Sequence, residues 1–537
     1  MPATNSAITR RRWTRSALLV AAAVAVIAPL AASTGTASAS QAGLTIATDT
    51  GPVRGVRVDD VRQFRGIPYA APPTGDNRWR PPQPAERWQG LRDATEFGAH
   101  CPQAGSPFGG ASLNEDCLFL NVYVPKFALP GVPIAPVMVW IHGGALSAGS
   151  SEVYDPVALV ERGVMVVTIN YRLGALGFLA HQSFAAESPQ GAAGNYGLLD
   201  QQAAMQWVAR NIRHFGGNPR NVTIFGESAG GLSVHSHLAS PLAAGLFDKA
   251  IVQSGAYALN QASLQTAGGT AAAFANRTGC TDQTATCLRA LPVETLLAQS
   301  NATIAAPTVD GYVLTSTIGA AFASGNFNQV PIIEGSNHDE WRLFVAQTEA
   351  TTHVPLSAAA YPANLAGFGA VQVPPVPAAT MLANYPLANY PSPSIGVSTV
   401  GTDSIFACNA RRATKALSQF VKVYQYEFND PNAPMRFFPP VSFPTGAYHA
   451  AEIQYLFSTP PPPPTIPIAP FTEAQQELSR TMVSYWTNFA WFSNPNFVGT
   501  PVWPNFDAQL QHQALIPGTS ETRTDFVADH KCSLYGV

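Results

Sequence analysis

At 537 residues the chain is long enough to bury a substantial core, as one large domain or several. A formal net charge of −3 leaves no electrostatic footprint for nucleic acid, which excludes that class of partner. Charged residues make up only 12% of the chain, under the roughly 25% of an average soluble protein, so the polar surface leans on Ser, Thr, Asn and Gln, which is compatible with export.

The N-terminus reads as a targeting segment. Arg10, Arg11, Arg12 and Arg15 form a basic region, Ala17 to Ala32 an apolar stretch, and Ala37-Ser38-Ala39 a small-residue cleavage site. The apolar stretch is short for a membrane anchor. The expectation is a cleaved signal over residues 1–39, with secretion after cleavage near Ala39 and no stable membrane anchor afterwards. Thr9-Arg10-Arg11-Arg12-Trp13 also fits a twin-arginine signal, so both export routes stay open. Beyond residue 40 no apolar run approaches membrane-spanning length, and no linker divides residues 40–537, which are expected to form a single domain with a helical insertion.

The body of the chain alternates strands and helices. Pro136 to Ile141 and Val164 to Ile169 are short apolar runs of the kind that form strands buried on both faces. Leu198 to Asn211 carries apolar residues at helical spacing, and Asn221 to Phe225 is β-rich. Strand, helix, strand in that order is a βαβ crossover, so the fold class is α/β with a mainly parallel sheet. Val330 to Ile333 reads as a further strand, and the run Pro460 to Pro464 as a stiff surface loop.

The strand Asn221 to Phe225 ends in Gly226-Glu227-Ser228-Ala229-Gly230, and a helix over Gly231 to Ala239 follows. G-x-S-x-G between a strand and a helix is a nucleophile elbow, because glycine on both sides lets the backbone turn sharply enough to expose the serine. The amides at the start of the following helix point where negative charge develops during acyl transfer. His142-Gly143-Gly144-Ala145 directly follows the Pro136–Ile141 strand, where a glycine loop presents further N–H groups toward the elbow. A base and an acid are needed next, in the chain order serine, acid, histidine. Of eleven histidines, His353, His449, His512 and His530 lie beyond a suitable acid.

Six cysteines in an exported chain point to disulfides, and of the 15 pairings they allow, spacing favours Cys101–Cys117 and Cys280–Cys287 as local loops. Cys408 is then left to pair with Cys532. Clustered C-x-x-C or histidine spacing is absent from the sequence, so no metal site is expected, and the acyl-transfer chemistry of a serine nucleophile implies no cofactor.

Several longer stretches carry a family likeness. Phe64-Arg65-Gly66-Ile67-Pro68-Tyr69-Ala70, Glu115-Asp116-Cys117-Leu118-Phe119-Leu120-Asn121-Val122, Gly194-Asn195-Tyr196-Gly197-Leu198-Leu199-Asp200-Gln201, the elbow, Trp486-Thr487-Asn488-Phe489-Ala490 and Trp503-Pro504 occur in one order. In these stretches the chain resembles the type-B carboxylesterases, the cholinesterase-like α/β-hydrolases of the para-nitrobenzyl-esterase type, over nearly its full mature length. The resemblance implies an α/β-hydrolase fold: a mainly parallel central sheet flanked by helices, with helical insertions around an active-site gorge. It implies a serine carboxylesterase acting on a small-molecule ester through Ser228, His449 in Gly446-Ala447-Tyr448-His449, and an acid matching Glu340, with Asp339 as the neighbouring alternative. Gly144, Ala145 and Ala229 correspond to the oxyanion-hole amides, and Glu227 to a supporting carboxylate outside the triad.

Two departures from the family pattern stand out. Ala145 and Leu146 occupy positions where a glycine and a Phe are usual, and alanine serves there as long as its φ is not positive. Trp341 replaces the glycine after Asp339-Glu340, where it either reshapes the pocket or packs into the core. A lipase of the same fold and a non-catalytic binding protein are the alternative readings, the second disfavoured because serine, acid and histidine are all present. The sequence leaves the natural ester and the oligomeric state open.

Overall fold

The computed structural model describes residues 43–301, 303–458, 468–507 and 509–537. The expected signal segment and the run Pro460 to Pro464 lie outside the described residues.

A sheet of eleven strands organises the chain. In chain order they are β1 (Val56–Val58), β2 (Val61–Pro68), β3 (Phe119–Val124), β4 (Ala135–Ile141), β5 (Met165–Ile169), β6 (Gly217–Glu227), β7 (Lys249–Gln253), β8 (Ile332–Asn337), β9 (Val423–Phe428), β10 (His512–Leu515) and β11 (Glu521–Arg523). Across the sheet the order is β1-β2-β3-β5-β4-β6-β7-β8-β9-β10-β11. The pairs from β5 through β10 are parallel, while β1–β2, β2–β3, β3–β5 and β10–β11 are antiparallel. The expected parallel centre is present, with antiparallel strands on both edges.

Every residue of β3, β4, β5, β7, β8 and β9 is buried, which explains the near-continuous apolar runs of β4 and β5. Successive side chains serve opposite faces. Val137, Val139 and Ile141 join the cluster that holds Met205, Val208 and Ile212 of α1 (Tyr196–Phe215). Met138 and Trp140 join the opposite cluster, with Met482, Trp486 and Phe489. Helix α1 is the crossover expected over 198–211, extended at both ends. It stops at Gly216, whose φ of 100° lets its N–H return to the Ile212 and Arg213 carbonyls. Three more helices matter for the site: α2 (Ala229–Ala239), α3 (Arg342–Thr352) and α4 (Glu473–Phe492). Thr472 and Gln475 form a reciprocal capping box at the start of α4. Helix Pro393–Gly401 packs on α3.

All six cysteines pair as spacing suggested, Cys101–Cys117, Cys280–Cys287 and Cys408–Cys532. Among the described residues no helix is long and apolar enough to cross a membrane.

Candidate active site

The elbow forms where β6 meets α2. Ser228 has φ 56° and ψ −121°, a strained conformation for a residue with a side chain. The two glycines around it are obligatory for space as well as for the turn. A Cβ at Gly226 would fall 2.6 Å from the Ile141 carbonyl oxygen, and one at Gly230 would fall 1.9 Å from it. Helix α2 thus leaves the sheet hard against the end of β4, and that contact aims Ser228 outward. The Ser228 N–H donates to the Gln253 carbonyl at 2.8 Å, tying the elbow to β7.

The loop after β4 curls next to it. The Gly144 carbonyl accepts from Ser147 and Ala148 N–H at 3.0 and 2.9 Å. Gly144 takes φ 96°, and a Cβ there would lie 2.2 Å from the Ala148 oxygen. The Gly144 and Ala145 N–H groups have no protein acceptor among the described residues, and Ala229 is the first residue of α2, whose amide the helix leaves unpaired. Ala145 and Leu146 both have φ 55°, so the condition that alanine keep a negative φ is not met. The left-handed backbone costs on the order of 1–2 kcal/mol per residue. The turn stays in place because Leu146 is buried in the core and its carbonyl accepts the Gly174 N–H at 2.7 Å.

Opposite the elbow, the turn after β8 supplies a carboxylate and the Gly446–His449 loop an imidazole. His449 Nδ1 lies 2.5 Å from Glu340 Oε2, and the His449 N–H donates to the Glu340 carbonyl at 3.2 Å. Glu340 Oε1 accepts the Asn337 N–H at 2.8 Å, and the side chain is wholly buried. Asp339 faces elsewhere. It accepts from the Ala447 N–H at 3.0 Å and pairs with Arg342 at 2.8 Å and His338 at 3.1 Å. Geometry therefore separates the two adjacent carboxylates, and Glu340 is the one on His449.

His449 Nε2 faces Glu227 Oε1 at 3.2 Å. Burial alone would lower the His449 pKa, but the carboxylates of Glu227, Glu340 and Glu452 outweigh it and raise it above the ordinary histidine value. Burial pushes the Glu227 carboxyl up to about 8. His449, Ser228, Glu227, Gly144 and Ala145 all line one cavity of about 740 Å³. The Phe344 and Phe406 rings wall the imidazole at 5.3 and 4.9 Å.

The family model for the carboxylesterase family matches residues 42–534. The chain belongs to the carboxylesterase family. It is 36% identical over 498 residues to an acylcarnitine hydrolase of Mus musculus, covering 87% of this chain and 86% of that protein. It is 33% identical over 513 residues to the para-nitrobenzyl esterase of Bacillus subtilis (strain 168), covering 91% and 98%. A solved structure of PNB esterase superposes with a TM-score of 0.75 at 31% identity, covering 92% of this chain and 99% of that one. This carboxylesterase is a carboxylic ester hydrolase on the α/β-hydrolase fold.

Sequence reasoning passed over a buried polar network behind His449. Glu452 accepts from Asn337 Nδ2 at 2.7 Å and from Gln253 Nε2 at 3.2 Å, and Gln253 in turn accepts the Trp486 indole N–H at 3.0 Å. Burial and the nearby Glu340 charge raise the Glu452 carboxyl to about 6. Its place three residues after His449 was the available signal. The question over Trp341 is answered by packing. Its ring lies 4.7 Å from Phe344 and 5.1 Å from Phe368, and a Cβ at Gly401 would meet it at 2.3 Å. Phe344 lines the cavity, and Trp341 is outside the lining.

Proposed function

We propose that this carboxylesterase is a secreted serine esterase that hydrolyses small carboxylic esters through an acyl-enzyme, with Ser228, His449 and Glu340 as its triad. The observation that carries the reading is the 2.5 Å Glu340–His449 hydrogen bond on an imidazole that shares one cavity with a strained, elbow-borne serine. With Nδ1 committed to Glu340, the Nε2 face of the ring is left to take the Ser228 proton as Oγ attacks the ester carbonyl. The carbonyl oxygen gains negative charge and is stabilised by the Gly144, Ala145 and Ala229 amides, which need no rearrangement at the moment of attack. The imidazolium then returns its proton to the leaving alkoxide, and water repeats the sequence on the acyl-enzyme. Glu340 holds the tautomer and stabilises the imidazolium, while Glu227, lying against Nε2, supports the same charge from the other side. Residues 1–39 act as the export signal, and the disulfides suit the oxidising compartment it leads to.

A fluorophosphonate probe tests this directly. It should label the wild-type chain on Ser228 and leave Ser228→Ala unlabelled, with ester hydrolysis lowered roughly 10⁴-fold or more. Labelling at another residue, or a tenth of the activity surviving in a contaminant-free variant, would overturn the assignment.

A further inference from the structure

Two residues before Glu340, a second cluster of titratable side chains begins, and the ester chemistry does not use it. It gathers His338 from the turn after β8, Glu427 from β9, and Asp529 and His530 from the C-terminal segment. One donor atom from each of these four residues lies within 4.8 Å of the other three. His338 Nε2 is 3.3 Å from Asp529 Oδ2, and His530 Nε2 is 2.6 Å from Glu427 Oε1.

The other nitrogen of each ring is anchored by a different carboxylate. His338 Nδ1 meets Asp339 at 3.1 Å, and His530 Nδ1 meets Asp403 at 2.7 Å. The anchors are themselves fixed, Asp339 by Arg342 and the Ala447 N–H, Asp403 by the Tyr385 hydroxyl at 3.0 Å. Metal-binding histidines are oriented in this way, with the outer nitrogen held by a carboxylate and the inner one turned toward further ligands. A purely structural ion pair has no need for both rings to repeat that arrangement around one point.

We propose that His338, Glu427, Asp529 and His530 form a binding site for one divalent transition-type cation of the zinc kind, with Asp339 and Asp403 orienting the two imidazoles. Two imidazoles and two carboxylates suit zinc and its neighbours, while magnesium and calcium favour all-oxygen shells. Tetrahedral zinc with ligands at about 2.0–2.2 Å sets its donors roughly 3.3 Å apart. The 3.3 Å His338–Asp529 pair is already at that spacing, the closer His530–Glu427 pair must open by a fraction of an ångström, and the other donor pairs, which lie within 4.8 Å, must draw in around the ion. The cation would take the place of the imidazole protons shared with Glu427 and Asp529, which leave to solvent. Access is available on one side: the His338 and Asp529 side chains are 30% and 50% exposed, whereas His530 and Glu427 form the buried floor. Bound there, the ion would tie the C-terminal segment, already joined to the body by Cys408–Cys532, to the turn that carries Glu340.

The test uses the full mature chain stripped with a chelator and titrated with zinc, magnesium or calcium, with metal content and thermal midpoint as readouts. One equivalent of zinc should be retained through gel filtration and should raise the midpoint by roughly 2–5 °C, with no comparable shift from magnesium or calcium. Asp529→Asn, at a half-exposed rim position, and the double variant His338→Gln with Asp529→Asn should lose the retained zinc and the shift. Failure of the wild-type chain to hold zinc overturns the proposal whatever the variants do. Equal retention by a folded variant overturns it as well, as does an equal response to calcium.

Discussion

His449 and His530 are both buried, and each has a carboxylate near both ring nitrogens: Glu340 at 2.5 Å and Glu227 at 3.2 Å for the first, Asp403 at 2.7 Å and Glu427 at 2.6 Å for the second. The surrounding charges raise both imidazoles against the lowering effect of burial. What separates them is what else they face. His449 opens onto a cavity of about 740 Å³ shared with Ser228, and its contact with Glu227 is longer than a strong charged hydrogen bond. His530 has both nitrogens held at short distance, and its ring packs 4.7 Å from Phe526 and 5.5 Å from His338. A buried histidine between carboxylates is therefore no mark of catalysis by itself. A ring that opens onto a cavity lined also by the elbow serine is the distinguishing feature.

The largest expected effect breaks the comparison on the His449 side. Glu340→Gln should lower kcat/KM by roughly 10⁴-fold, since an amide neither fixes the tautomer nor stabilises the imidazolium. Asp339→Asn, whose carboxylate serves His338 and Arg342, should stay within about tenfold of wild type. Steady-state kinetics on a p-nitrophenyl ester decide it, and a reversed order would move the acid to Asp339.

The His530 side should respond in stability. Replacing Cys408 and Cys532 together by serine opens a loop of sequence separation 124 and should cost on the order of 4–5 kcal/mol in the chain-entropy model. Thermal unfolding should show a fall of several degrees, with kcat of the folded enzyme little changed at temperatures well below the midpoint. Unchanged unfolding would mean that the polar contacts around His530 alone hold the C-terminal segment.

The two regions also differ in how far the chain disclosed them. The elbow, the glycine loop and the acid turn each fall at the end of a strand, so local pattern and family order located Ser228, Gly144 and Glu340 together. The cysteine pairs followed from spacing because two of the three loops are short. The His530 cluster draws on positions 338, 339, 403, 427, 529 and 530, brought together by the parallel run of β8 and β9, the helical segment Thr402–Ala407 that carries Asp403, and the return of the C-terminal segment. No sequence spacing encodes that meeting. The strained φ of Ala145 was hidden for a different reason: burial of Leu146 holds the turn, and burial is a property of the whole fold.

A pH profile sharpens the contrast further. In the proposed mechanism only neutral His449 acts as base, and the surrounding carboxylates favour its protonated form. As pH falls through the raised pKa the base is lost, so kcat/KM should rise with pH on an acid limb centred above the ordinary value of about 6.5. A limb centred at or below that value would show that the three carboxylates do not hold the proton on His449 in the working enzyme.

The smallest effect concerns the far wall of the cavity. In the cholinesterases that this chain resembles, a tryptophan in the loop closed by the first disulfide stacks on the choline cation, an attraction worth roughly 0.5–2 kcal/mol. Here the loop from Pro102 to Asp116 contains Phe108 as its one aromatic residue. Phe108 lines the cavity with its ring 5.0 Å from Phe437, and Arg436 lines it beside them. Trp341 offers no substitute platform, because it is packed against Phe344 and Phe368. Butyrylcholine should therefore show no kcat/KM advantage over a neutral butyrate ester with a comparably reactive leaving group, where an intact stacking platform would give it one of roughly 2- to 30-fold. A preference for the choline ester would instead mean that the Phe108–Phe437 pair stacks on the ammonium.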